Sequence, residues 1–184
     1  MRVLITGASR GLGLVLAEDL KEHEVTRYKG QYFSPPVYNQ GPQDAIVHCA
    51  GGGMGHKDSL IRYSQLFELW MLNIGAAAEI NRALVPDMIS RKSGRVIHVL
   101  SIASGEAVGS VGYNTVKTAL AGYVRSLGRE LAGTGVVVTG ISPGGFLGPG
   151  NSMERLKERN PEAYEDFIKT RLPRGFMGDV SEII

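Results

Sequence analysis

Residues 2–13, RVLITGASRGLG, with the LVLAEDLKEH that follows at 14–23, decide the fold. RVLIT is a short apolar run rich in β-branched residues, the pattern of a buried strand. Glycines then stand at 7, 11 and 13, and LVLAEDLKEH shows apolar spacing near 3.6, an amphipathic helix. Strand, glycine turn and helix form the opening unit of a doubly wound α/β domain. In that unit the first N–H groups of the helix are unpaired and sit at the positive end of its dipole, so they suit a phosphate. Gly7, Gly11 and Gly13 permit the tight turn and the close approach. Alone, the spacing is equally that of an ordinary turn, and with no Gly-Lys-Ser/Thr after it the turn is not a P-loop.

Outward from this unit the chain keeps alternating. A short second strand is predicted near Glu24–Tyr28, followed by KGQYFSPPVYNQGPQ, a loop with Pro35, Pro36 and Pro42 and no periodicity. DAIVHCAGGG (44–53) reads as a strand that breaks at three glycines. Residues 64–91 carry a long helical pattern interrupted around Asn73 and Gly75, with Pro86 a local irregularity. RVIHVLS and GVVVTGIS (135–142) are two more strands, separated by a helix over 113–132. Strands alternating with helices predict a Rossmann-like, doubly wound, mostly parallel sheet in one domain spanning 1–184.

Composition excludes several function classes. The 184 residues are 43% hydrophobic and 21% charged, with a net charge of +2, too small and too mixed for a nucleic-acid partner. No apolar run reaches the roughly 18 residues of a membrane span. The strand-like MRVLITG leaves no room for a signal peptide, and one cysteine, Cys49, fits a reducing cytoplasm. The four histidines, at 23, 48, 56 and 98, lack metal-ligand spacing, so no metal is expected.

Chemistry concentrates in GRVIHVLSIASGEAVGSVGYNTVK, residues 94–117. A strand delivers Ser101 to its end, and a Gly-rich loop leads to a helix bearing Tyr113 and Lys117. Residues at i and i+4 share one helical face, so a phenol and an ammonium stand side by side. Ser104 and Ser110 are rivals to Ser101, which is preferred because it ends the strand. A serine-hydrolase reading fails, since none of these serines lies in G-x-S-x-G.

TGASRGLG (6–13), HCAG (48–51), Asn73, Ser101, YNTVK (113–117) and PGG (143–145), in this order, resemble the short-chain dehydrogenase/reductase family, with its 3-oxoacyl-carrier-protein reductases as the nearest general likeness. The resemblance implies hydride transfer between a nicotinamide and a carbonyl or alcohol carbon of a small molecule. Tyr113 is then the acid/base. A free tyrosine titrates near about 10, and a neighbouring Lys117 is expected to lower that value. Lys117 would also bind the nicotinamide ribose, Ser101 would hold the substrate oxygen, and Asn73 would break its helix and hold a relay water. Thr6, Gly7, Ser9, Arg10, Gly11, Leu12, Gly13, Ala50 and Gly51 would line the cofactor, with Pro143 and Gly144 against the nicotinamide. No acid follows the second strand in VTRYKG; Arg10 inside the turn, with Arg27 and Lys29, favours NADP(H) over NAD(H). Helices 64–91 and 113–132 suit pairing into a homodimer or homotetramer.

The chain departs from the family pattern in two places. It is shortened after the second strand, where a Pro-rich connection replaces a helix, a strand and a helix. It also stops at GDVSEII, at the start of an expected helix, so it is either truncated there or lacks the last helix and strand. Gly148 stands where the family carries a threonine. Residues 146–176 match the family's substrate lid, with Met153, Tyr164, Phe167 and Phe176 as contact candidates. A nucleotide-sensing or scaffold protein that kept the fold without turnover is the alternative function.

Overall fold

A computed structural model of the chain describes residues 1–28 and 40–184. Lys29 and most of the Pro-rich connection lie outside the described residues. Five strands, β1 (Arg2–Thr6), β2 (Glu24–Tyr28), β3 (Ala45–His48), β4 (Gly94–Val99) and β5 (Val136–Ile141), form one sheet in the order β2-β1-β3-β4-β5. Every pairing is parallel. From β1 the chain moves outward to β2, then returns to the other side of β1 for β3. The crevice between the carboxyl ends of β1 and β3 is therefore the topological switch point, where open α/β sheets bind ligands.

Register explains the core. Leu4, Ile46, Val96 and Val138 lie opposite one another across β1, β3, β4 and β5. Leu4, Ile46 and Val96 pack, together with Val136, under Ile80, Leu84, Val85 and Met88 of α3 (Ala76–Ser90). Side chains alternate along a strand, so Val3, Ile5, Ala45 and Val47 point to the other face, where Ala17 of α1 (Gly11–Asp19) covers them. Leu4, Ile5 and Ile46 are fully buried, each burial contributing on the order of 2 kcal/mol. α4 (Val111–Glu130) adds Val116, Leu120 and Val124, which pack with Leu69 of α2 (Tyr63–Trp70). The α1-side face of β5 is bare: Val137 and Ile141 are exposed.

The long helical pattern over 64–91 divides as its interruption predicts. α2 passes through a π-helical turn, Met71–Gly75, straight into α3, which contains Pro86. After β5 the chain forms a short parallel pair that sequence periodicity does not reveal, β6 (Phe146–Leu147) with β7 (Gly178–Asp179). Between them stand α5 (Ser152–Arg159) and α6 (Pro161–Arg171). Asn151 and Asn160 cap these two helices, accepting from Met153, Glu154 and Ala163 N–H groups. Among the described residues, no helix is long and apolar enough to cross a membrane.

Candidate functional site

The glycine turn is shaped by a close approach. Gly7 has φ +68°, and a Cβ there would lie 2.6 Å from the Ala50 nitrogen, so only glycine lets the exit of β3 pass this near. Thr6 joins the same two strand ends: its hydroxyl accepts the Ala50 N–H at 3.2 Å. Ser9 and Arg10 are exposed at the start of α1, while Gly11, Leu12 and Gly13 are buried. The Gly11 N–H donates to the Pro149 carbonyl at 2.6 Å. Arg27 on β2 stands 3.9 Å from the Glu18 carboxylate.

Asn73 lies in the π turn, buried, and clasps the loop after β3. Its amide donates to Leu69 O (2.9 Å) and Gly52 O (3.0 Å), and its Oδ1 accepts the Gly52 N–H (3.0 Å). A single extra residue in a helical turn re-aims a side chain without ending the helix, a device frequent at functional sites. The break expected at Asn73 is therefore a widening of the helix. A Cβ on Gly51 would meet Asn73 Oδ1 at 2.9 Å and Lys117 Nζ at 3.2 Å. The bare backbone of Gly51 thus lies between the Asn73 amide and the Lys117 ammonium.

Lys117 is 3% exposed. It reaches from α4 to the end of β4, donating to Val99 O at 2.9 Å. Burial pushes its pKa down to about 8, with nearby Cys49 acting weakly in the opposite sense. Its Nζ is 5.8 Å from the Tyr113 ring centroid. Burial raises the Tyr113 pKa, and the Ser101 hydroxyl opposes that shift. In this arrangement the balance on the phenol is struck by burial and Ser101, where the i, i+4 spacing predicts Lys117 as the acidifying group.

Ser101 caps the 3-10 turn Ile102–Ser104, its hydroxyl accepting the Ala103 N–H at 3.2 Å. Ile102 N–H donates to Pro143 O at 3.1 Å, tying this turn to the Pro143–Gly144 turn after β5. Of the three candidate serines, Ser101 is the one whose hydroxyl acts on the phenol; the Ser104 hydroxyl is buried without a partner among the described residues. Asn114 fastens the Gly-rich loop to α4 by accepting the Gly109 N–H (2.9 Å) and donating to its carbonyl (3.2 Å). Asn73, Ser101, Tyr113 and Lys117 thus gather at the carboxyl ends of β3 and β4, beside the glycine turn of β1. Of the lid candidates, Tyr164 is buried and Phe176 is exposed under the Arg174 guanidinium, 4.2 Å away.

One polar cluster goes unsignalled by any motif. His48 and His98, on adjacent strands in register, stack at 4.5 Å. Asn81 bridges them, 2.9 Å from His48 Nε2 and 3.5 Å from His98 Nε2, and donates to the Tyr123 hydroxyl at 3.1 Å. Burial holds both imidazoles neutral, His48 pushed down to about 4 and His98 to about 2. Among the described residues no group of His, Cys, Asp and Glu is placed to hold a metal.

Known proteins share this architecture. The family model described as short chain dehydrogenase matches residues 31–159. The chain is 30% identical over 112 residues to a 2-dehydro-3-deoxy-L-rhamnonate dehydrogenase (NAD(+)) of Sphingomonas sp., covering 60% of this chain and 43% of that protein. It is 31% identical over 179 residues to the ketoacyl reductase HetN of Nostoc sp., covering 77% and 62% respectively. The chain therefore spans about half the length of these curated relatives. A crystal structure of a 3-oxoacyl (acyl-carrier-protein) reductase from Agrobacterium tumefaciens with NADP bound shares the fold, with a TM-score of 0.85 at 20% identity, over 100% of this chain and 84% of that one. Parallel sheet, glycine turn and family match agree: this chain belongs to the short-chain dehydrogenase family of oxidoreductases.

Proposed function

We propose that the protein is an NADP(H)-dependent oxidoreductase acting on a carbonyl or alcohol carbon of a small molecule, with Tyr113 as its acid/base. One observation carries the reading: a half-buried phenol, a serine hydroxyl and a buried ammonium converge at the switch point, next to a glycine turn built by close approach. The turn has the form of a dinucleotide site, because glycine at 7 lets the ends of β1 and β3 close together and glycine at 51 lets the loop after β3 pass between Asn73 and Lys117. When bound, the nicotinamide supplies or accepts the hydride.

The chain's own residues do the rest. Tyr113 gives a proton to the nascent alkoxide in reduction and takes one in oxidation. Ser101 holds the substrate oxygen by hydrogen bonding and opposes the effect of burial on the phenol. Lys117, with a pKa near neutrality at about 8, binds ribose hydroxyls and replaces the proton that Tyr113 gives up. Asn73 fixes the loop that separates it from Lys117, leaving its turn positioned to hold a relay water. Gly7, Ser9, Arg10, Gly11, Leu12, Gly13, Ala50 and Gly51 line the nucleotide, and Pro143 and Gly144 flank the nicotinamide. For the 2′-phosphate the structure favours Arg10, which is exposed beside the turn, over Arg27, which stands near Glu18.

Residues 146–176 serve as the substrate lid. Exposed Tyr63 and Phe67, stacked at 6.2 Å, and exposed Trp70 give α2 an aromatic outer face suited to a homodimer or homotetramer. The lone free cysteine fits a cytoplasmic setting.

The test is nicotinamide consumption over a panel of ketones and 3-oxoacyl thioesters. Wild type turns over at least one of them with NADPH, and Tyr113→Phe is slower by about 10²–10⁴. A wild-type protein that binds NADPH and reduces nothing, or a Tyr113→Phe variant of undiminished rate, refutes the assignment.

A further inference from the structure

The first amide of α1 is already taken. Gly11 N–H, one of the donors a helix N-terminus leaves for a phosphate, is bonded at 2.6 Å to the carbonyl of Pro149. The rest of the turn lies on the same ground. A Cβ on Gly11 would stand 3.3 Å from the Asn151 Cβ, and one on Gly150 would stand 3.6 Å from the Arg10 Cβ. The turn therefore covers the phosphate-binding amide and abuts the Cβ of the arginine assigned to the 2′-phosphate, whose side chain stays exposed.

This turn is braced as a unit. Asn151 N–H donates to Gly148 O (3.0 Å), and its side-chain amide donates to Phe146 O (2.8 Å). Asn151 Oδ1 caps α5. Gly150 N–H donates to the Glu154 carboxylate at 2.5 Å, and the Arg155 guanidinium bonds the Gly150 carbonyl. Gly148 packs on Val180, where a Cβ would have 3.2 Å. Such a piece cannot yield one atom at a time. To free Gly11, the turn and the α5 attached to it must move together.

Resting on the reading of the glycine turn as a dinucleotide site, we propose that Gly148–Asn151 is an internal competitor for the dinucleotide. Its Pro149 carbonyl stands in for a phosphate oxygen in the free protein, and dinucleotide binding displaces it together with α5. No bond is made or broken covalently: one hydrogen-bond acceptor replaces another at Gly11 N–H. A phosphate oxygen wins because charge-assisted bonds are stronger than those to a neutral carbonyl. The lid helix α5 is thus coupled to cofactor arrival, and it moves away from the glycine turn as the cofactor enters.

A reversible lock tests this. The 3.6 Å separation at positions 10 and 150 falls within the Cβ–Cβ range of a disulfide, so Arg10→Cys/Gly150→Cys can staple the turn. Gly150 lies at φ +65° and a cysteine there is strained in both redox states, so the comparison is made within the one double variant. Cys49, half-buried and with its thiol pushed up to about 12, stays protonated and does not compete. Titrated with NADPH and NADH by nicotinamide fluorescence, the oxidised double variant is expected to bind at least tenfold more weakly than the same protein after reduction. Arg10→Cys alone should show no redox dependence. Asn151→Ala, which removes the brace to Phe146 and the α5 cap, should bind NADPH severalfold more tightly than wild type. Equal binding by oxidised and reduced protein, or no gain from Asn151→Ala, overturns the competitor and leaves the oxidoreductase reading standing. No binding of either dinucleotide to wild type overturns both.

Discussion

The β4–α4 end and the β1–α1 end of the sheet present functional groups to the same crevice by opposite means. At β4–α4 the groups are side chains locked by buried or part-buried hydrogen bonds: Lys117 on Val99 O, Asn73 on Leu69 and Gly52. At β1–α1 they are backbone amides shaped by close approach and covered by the chain's own turn at Pro149. The difference teaches that the two halves of one site carry different costs. The side-chain half is assembled at the expense of a buried, unneutralised ammonium. The backbone half is sterically exacting, and it must be uncovered before use.

The largest expected effect tests the steric half. Gly7→Ala places a methyl 2.6 Å from the Ala50 nitrogen and holds alanine at φ +68°. Both strain the junction of β1 and β3, so the substitution should cost at least about 3 kcal/mol, read as a lower midpoint in urea unfolding. A loss below about 1 kcal/mol would show that the strand ends relax and that the turn is not sterically fixed.

The next effect tests the electrostatic half. Lys117 titrates at about 8 in the folded protein against 10.5 when free. At pH 7 the fold therefore carries the cost of a charge held in a poor environment, and Lys117→Met should stabilise by about 2 kcal/mol, given 1.36 kcal/mol per pKa unit and the lost bond to Val99 O. The sign follows from proton counting. From pH 8 to 9 the unfolded chain holds the proton that folded Lys117 has shed, so wild-type stability rises with pH there; above 9 Cys49, whose thiol is pushed up from 9 to about 12, offsets it. The variant should show no such rise, while its turnover falls about tenfold to a hundredfold. A variant less stable than wild type at pH 7 would mean that Lys117 supports the fold.

How much of this was legible beforehand follows the same division. Most strands were readable because each is a local apolar run, and the second strand, EVTRY, lies where it is expected, near Glu24–Tyr28. Asn73 and Gly75 marked the interruption that became the π turn, since a helix-disfavouring pair inside a strong helical pattern is itself local information. The two-residue strands Phe146–Leu147 and Gly178–Asp179 could not be read, being too short to show a period of two. The Pro149–Gly11 bond and the His48–Asn81–His98–Tyr123 cluster join residues far apart in sequence, and no spacing rule links them. Tyr164, a candidate substrate contact by its place in the sequence, is buried with the Lys157 ammonium 5.7 Å from its ring, a pairing that no local spacing announces.

That histidine cluster gives a smaller effect and a control for the comparison, since it is buried polar structure away from the reacting groups. His48 and His98 are held neutral far below their ordinary value. As pH falls from about 6.5 towards 4 the unfolded chain takes up both protons and the folded chain resists, so stability falls by up to about 2.7 kcal/mol per pH unit. His98→Leu should roughly halve that slope between pH 6.5 and 5, measured by urea midpoints. An unchanged slope would mean that His98 is already solvated.

The smallest effect belongs to an exposed group. Arg10 is exposed beside the glycine turn, and Arg27 has Glu18 within 3.9 Å. If the 2′-phosphate is read by charge at the surface, Arg10→Ser should lower the preference for NADPH over NADH by about tenfold, and the preference should itself weaken with added salt. Arg27→Ser should change it less, because a guanidinium already facing a carboxylate attracts a phosphate less. Equal NADPH and NADH affinity in wild type would remove the charge argument. A preference that survives Arg10→Ser but not Arg27→Ser would move the 2′-phosphate contact from the start of α1 to the end of β2, leaving the competitor turn over the diphosphate amides alone.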